Sequence, residues 1–323
     1  MQYKRTQKNS FLGSVIEFVS LLLLVFLIRT VFFGLYQVPT GSMETTMLVG
    51  ERFVANKFSY WIRKPERGEI IAMNDPEYTY STNPLVALFE QYVWGPSNWT
   101  KRVIGIPGDI VDGKLEDGKP VVYLNNVKID EPYLNKYPLV RVWTQDPQEL
   151  KEQIEKELQA IMRGWQTYNQ ETLEQILLQK WSSKIVPRSY DPTKSGYDQP
   201  FYRMNDAYIL RDEDGKPEML WPATPVNQRA SNNLKDVKQY WNKSDVFHVE
   251  LGDNQYWCMG DNRLGSKDCR FFGPVLGENI HGRIVFCIAS IDQLHDWMIV
   301  DLLLHPIDFW SRIRWSRCMR WIY

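Results

Sequence analysis

Residues Phe11 to Tyr36, FLGSVIEFVSLLLLVFLIRTVFFGLY, form an apolar stretch of 26 residues interrupted by charge only at Glu17 and Arg29. As a helix rising about 1.5 Å per residue it reaches roughly 39 Å, more than the ~30 Å of hydrocarbon in a bilayer. Two other readings compete, a cleavable leader and a buried core helix. No small-x-small site follows the run Phe18 to Ile28, which argues against the leader. Glu17 and Arg29 lie near the ends of that run, where charge is least costly in a bilayer. Lys4, Arg5 and Lys8 precede it. The expectation is an uncleaved transmembrane anchor over 11–36, with residues 1–10 in the cytoplasm and everything after Tyr36 outside.

Charge adds to the argument about topology. The chain has 323 residues and carries 38 Lys plus Arg against 39 Asp plus Glu, so nothing resembles the basic excess of a nucleic-acid binder, and no nucleic acid is expected. The balance hides unlike parts. Residues 1–10 carry three basic groups, residues 309–323 carry four, and the span between holds 31 basic against 39 acidic residues. Four cysteines (Cys258, Cys269, Cys287, Cys318) and four histidines are scattered without metal-ligand spacing, so neither a metal nor a cofactor is expected.

From Gln37 onward, short apolar or β-branched runs alternate with Gly and Pro: ERFVANKF, RGEIIAM, KRVIGIPGDIV. Such runs read as strands joined by turns, hence a mainly β domain. Pro84 to Trp94 is too short to span a bilayer and reads as a core helix or an interfacial segment. Asn125-Asn126 suits a hairpin turn. Asp146-Pro147 opens a helix-like stretch in which Leu150, Ile154, Leu158 and Met162 recur at four-residue intervals, continued by Leu173, Ile176, Leu177 and Trp181. Pro187 to Asn242 reads as long loops. The expected division is a β core over 37–132 and 245–293, a partly helical insertion over 133–244, and a Trp/Arg-rich tail over 294–323. The final FWSRIRWSRCMRWIY fits a segment lying on an anionic bilayer surface.

No histidine falls in a Ser/His/Asp pattern, so a hydrolase here needs another base. A serine beside glycine in a turn exposes its hydroxyl, as in Val38-Pro39-Thr40-Gly41-Ser42-Met43. A lysine opening an apolar strand, Lys101 in KRVIGIPGD, is a base once desolvation favours its neutral amine. With a third segment, MGDNRLGSKDCR at Met259 to Arg270, and the RGEII run, the sequence resembles the bacterial type I signal peptidases, serine endopeptidases with a Ser/Lys dyad.

The resemblance implies an antiparallel β catalytic core of that family, behind a transmembrane helix in the bacterial inner membrane and facing the extracytoplasmic side. It implies Ser42 as nucleophile, Lys101 as general base, and Ser266 as the residue that holds the lysine amine. Asp268 and Arg270 match the charged pair supporting that loop, and Thr40 with the Ser42 N–H matches the oxyanion hole. Val38, Met47 and Thr100 match substrate-pocket positions. The implied partners are preproteins with signal peptides and the lipid bilayer. Two departures stand out: Thr45 occupies the proline position of the family's SMxPTL, which predicts a less rigid turn after Ser42, and Cys269 replaces a serine. A membrane-anchored binding protein of the same fold without catalysis is the competing reading, against which stand the intact Ser42, Lys101 and Ser266.

Overall fold

The computed structural model describes residues 11–92, 95, 97–144, 146–150, 152, 153, 156, 159, 184–222, 245–292 and 298–322. The apolar stretch folds as helix α1 (Phe11–Val31) and then becomes strand β1 (Phe33–Gln37), so the helix is shorter than the apolar run that suggested it. The aromatic residues Phe32, Phe33 and Tyr36 favour an extended chain. β1 also gains an antiparallel ladder on β2 (Glu51–Asn56), from Phe33↔Asn56 to Gln37↔Arg52. The 21 helical residues still reach about 31 Å. None of the window Gly13–Thr30 is buried in the protein. A core helix hides its apolar face, so that reading of α1 is excluded.

The other strands are β3 (Ile70–Asn74), β4 (Asn98–Gly105), β5 (Ile110–Glu116), β6 (Lys119–Leu124), β7 (Val127–Lys128), β8 (Leu139–Trp143), β9 (Ile185–Ser189), β10 (Met219–Leu220), β11 (Phe247–Glu250), β12 (Gln255–Met259), β13 (Val275–Leu276), β14 (Ile280–Ser290) and β15 (Arg320–Trp321). One eight-stranded antiparallel sheet runs β1-β2-β14-β3-β4-β12-β13, with β15 added on β14. A four-stranded sheet runs β11-β5-β6-β7 and a three-stranded one β10-β8-β9. The fold is therefore mainly antiparallel β behind an apolar helix.

β2 alternates buried and half-buried residues, as a strand with one covered face should, whereas β3 is buried throughout. Ile71 and Met73 of β3 pack with Val103, Trp257 and Met259 on one side; Ile70 and Ala72 pack with Val38, Met47 and Phe53 on the other. The hairpin at Asn125-Asn126 forms as expected, both residues taking positive φ (52° and 66°) as a two-residue turn requires. Pro84–Tyr92 is helical, but Leu85, Leu88 and Phe89 are exposed, which removes the core-helix reading there.

The insertion departs from expectation. Part of the region expected as loops carries β9 and β10, because Val140, Val142, Tyr190, Tyr202, Met204 and Ile209 build a small core of their own around Leu48 of the main domain. Residues 147–150 are helical, with Asp146 Oδ1 accepting the Gln148 N–H at 2.8 Å. The rest of the expected helical stripe, Ile154 through Trp181, lies outside the described residues.

The tail also differs. Its arginines turn into the protein: Arg312 pairs with Asp301, Arg317 with Glu51, and Arg314 donates to the Phe201, Val49 and Ile291 carbonyls. Arg320 donates to the Thr46 carbonyl at 2.8 Å. Buried carboxylates such as Glu51 and Asp301, both fully covered, need these cations as partners. The tail tryptophans Trp310, Trp315 and Trp321 remain exposed.

Candidate active site

β1 runs into a tight 3₁₀ turn, Gly41–Met43, that carries Ser42. The loop is closed at its base by Val38 N–H to Glu51 O (3.0 Å) and Gly50 N–H to Val38 O (3.1 Å). Lys101 sits in β4, paired with Ile71 of β3. Both side chains are almost wholly covered, Ser42 at 8% and Lys101 at 3% exposure. Lys101 Nζ lies 3.0 Å from Ser42 Oγ, with the Trp99 ring centroid 5.5 Å from the same nitrogen.

Burial pushes the Lys101 ammonium down to about 8, against the opposing pull of Asp268. A neutral amine in this position has a lone pair directed at a hydroxyl, the arrangement that nucleophile activation requires.

The three sequence boxes interlock. Arg102, next to Lys101, makes a two-pronged ion pair with Asp261 (2.8 and 2.7 Å), and the Thr46 hydroxyl donates to the same carboxylate at 2.6 Å. Asn262 holds the Ser42 turn from the other side: its N–H donates to Ser42 O (3.1 Å) and its Nδ2 to Gly41 O (2.9 Å). Gly260 is indispensable for this approach. A Cβ there would lie 2.3 Å from Ser266 Oγ and 2.4 Å from Ser42 O. The fully buried Ser266 is thereby brought beside the Ser42 backbone.

Behind this loop lies a buried charge cluster. Arg270 Nε and Nη2 each donate to Asp268 at 2.9 Å, and Nη1 donates to Asp245 at 2.5 Å. Burial pushes Asp268 upward, but Arg270 and the Gly260 N–H outweigh it and hold the carboxyl at about 2. Asp268 is therefore a fixed negative charge near Lys101.

Thr40 is exposed and extended, and its hydroxyl makes no capping bond to the turn it precedes. Val38 and Met47 belong to the core beneath the turn, at 6% and 1% exposure, while Thr100 is half-exposed beside Lys101.

These features can be set beside known proteins. A model of the family described as signal peptidase, peptidase S26, matches residues 12–289. The chain belongs to the signal peptidase family. It is 25% identical over 297 residues to signal peptidase I of Buchnera aphidicola subsp. Acyrthosiphon pisum, covering 90% of this chain and 79% of that protein. Signal peptidase I of Aquifex aeolicus is 25% identical over 87% of this chain and 86% of its own length, and that of Haemophilus influenzae is 24% identical over 90% and 73%. A crystal structure of a signal peptidase I from Enterococcus faecalis, 16% identical, aligns over 69% of this chain and 97% of its own, with a TM-score of 0.26. As a member of this family, the protein is a serine peptidase.

Within the signal peptidase frame, Cys269 is buried and accepts the Cys258 N–H at 3.0 Å. Burial pushes its thiol well up, so it adds no charge beside Lys101. All four cysteines are free. Sequence reasoning gave no role to Arg102, Asp261, Asn262 or Asp245. Arg102 had a signal, its adjacency to Lys101 at the start of an apolar strand, whereas Asp245 lies 25 residues before Arg270 in a polar stretch of sequence and carries none.

Proposed function

We propose that the chain is a membrane-anchored signal peptidase I that removes N-terminal signal peptides from exported preproteins, with Ser42 as nucleophile and Lys101 as general base. The observation that carries this reading is the 3.0 Å approach of Lys101 Nζ to Ser42 Oγ with both groups out of water. Neutral Lys101 takes the Ser42 proton as Oγ attacks the scissile carbonyl, giving a tetrahedral oxyanion held by the Ser42 N–H and the Thr40 hydroxyl. The C–N bond then breaks, and Lys101 gives its proton to the departing amine. A water, deprotonated by the same lysine, attacks the acyl-enzyme ester and releases Ser42 and the carboxylate product. Ser266 steadies the amine, and Asp268 with Arg270 keeps that loop in place. Val38 and Met47, buried beneath the turn, back shallow apolar subsites for small side chains, and half-exposed Thr100 lies at their edge.

The anchor is α1, in the bacterial cytoplasmic membrane, with the β domain on the extracytoplasmic side. The outer face of the main sheet supports a seat on the bilayer. Leu35, Val54, Phe286 and Trp321 fall in one register row across four strands, with Leu35 at 68% and Trp321 at 61% exposure. An apolar row continuous with a spanning helix fits the lipid interface. The exposed apolar residues of Pro84–Tyr92 fit it too.

The test is acylation and cleavage together. An acylating serine-protease inhibitor is expected to label Ser42, and the full-length protein in lipid vesicles is expected to cleave a preprotein. Its rate should rise with pH and reach half its plateau near pH 8, because protonated Lys101 is inactive as a base. Absence of both labelling and cleavage would replace this reading with that of a catalytically silent binding protein.

A further inference from the structure

The insertion meets the nucleophile turn at one buried carboxylate. Glu44, two residues after Ser42, is fully covered. Its Oε2 accepts the Ser189 N–H at 2.9 Å and the Ser189 hydroxyl at 2.5 Å, and its Oε1 accepts the Tyr202 hydroxyl at 2.5 Å. Ser189 is held in turn by Asn135 Nδ2 at 2.8 Å, and the Tyr202 oxygen accepts the Val49 N–H at 3.0 Å. Ser189, Tyr202 and Asn135 all come from the insertion, 133–244.

A buried carboxylate is tolerated only when donors compensate its lost hydration, and here three do. The same group packs beneath the residue before the nucleophile, since a Cβ on Gly41 would lie 2.4 Å from Glu44 Oε1. The Glu44 N–H also donates to Gly41 O at 3.1 Å, so carboxylate and backbone both bracket Ser42. From the opposite side, Arg317 Nη2 donates to the Thr45 and Thr46 carbonyls at 3.2 and 3.0 Å. Thr45 stands where the family's proline would stiffen the chain, and these contacts hold the turn instead.

We propose that Glu44 is a positioning residue through which the insertion, by way of Ser189 and Tyr202, keeps Ser42 Oγ within reach of Lys101. The proposal rests on the acyl-transfer reading above. The insertion is then part of the catalytic apparatus, although all three side chains are buried behind the Ser42 turn.

The test uses the full-length protein in vesicles, comparing wild type, Ser42→Ala, Glu44→Gln, Tyr202→Phe and the Glu44→Gln/Tyr202→Phe double variant in preprotein cleavage. Glu44→Gln is expected to lower kcat about tenfold and Tyr202→Phe about fivefold, with KM unchanged within a factor of two, the pattern of a misplaced nucleophile rather than weakened binding. The double variant should be no slower than Glu44→Gln alone, because both changes break the same contact. Should Glu44→Gln fail to fold, Tyr202→Phe decides alone, as it removes a single oxygen and keeps the ring. Inactive wild type or active Ser42→Ala would overturn the acyl-transfer reading. With those controls normal, folded variants that retain wild-type kcat, lose only KM, or multiply their losses in the double variant would overturn the role of Glu44.

Discussion

Lys101→Met is expected to remove preprotein cleavage by about 10³-fold or more and to make the protein more stable. The loss follows from the proposed general acid–base role, which contributes roughly 10²–10⁴-fold per group and would serve both acylation and deacylation. The gain follows from the buried ammonium. Burial brings Lys101 from 10.5 in a solvated chain to about 8 in the folded protein. Between those values the unfolded chain binds more protons than the folded one, so wild-type stability rises with pH through that window. Below about pH 8 the penalty is complete, on the order of 3 kcal/mol at pH 7 at 1.36 kcal/mol per pKa unit. A methionine of similar length has no charge to desolvate. Chemical denaturation at pH 7 should therefore show a more stable variant, with the advantage shrinking toward pH 10.5. An equal or lower stability at pH 7 would mean that the lysine is not desolvated as its burial indicates.

Arg270→Met should have the opposite effect. Arg270 is fully buried between Asp268 and Asp245, and its removal takes a shared guanidinium from two covered carboxylates. Breaking a buried pair from one side costs about 3–5 kcal/mol. Asp268, held at about 2, contributes stability that is present above its unfolded value and lost as pH falls through about 2. Without the guanidinium that contribution disappears, and the deficit at neutral pH should be visible in urea titration. Arg270 also lowers the Lys101 pKa by charge repulsion, so the pH midpoint of any residual cleavage should move upward. Adding Asp268→Asn and Asp245→Asn should recover much of the lost stability, since the covered negative charges that faced the guanidinium are then gone. A variant as stable as wild type would show that other groups neutralise the cluster.

Much of this was legible in the residues. Apolar runs set between Gly and Pro marked β2, β3 and β4, turn residues marked the Asn125-Asn126 hairpin, and the boxes around Ser42, Lys101 and Ser266 marked segments that the fold brings together. What local pattern reports is which face is covered, not what covers it. The Glu44 contacts to Ser189 and Tyr202 span 145 and 158 residues. Arg317 reaches Glu51 across 266. In sequence, a tail arginine destined for a buried carboxylate looks the same as one destined for a lipid phosphate. The end of α1 was hidden for a related reason: helix and strand are both apolar and exposed there, so hydropathy does not change where the backbone does.

That abrupt change from helix to strand has a mechanical consequence. Only Phe32 separates α1 from β1, and β1 is locked to β2 along its whole length. If α1 is fixed in the bilayer, the catalytic domain hangs from it without slack, as a bracket rather than a tether. On the proposed reading Ser42 is then held at a set height above the lipid, and distance from the membrane sets where a chain is cut. Lengthening the junction at Phe32 by a few flexible residues should blur that gauge and scatter the cleavage sites, while the chemistry at Ser42 and Lys101 continues unchanged.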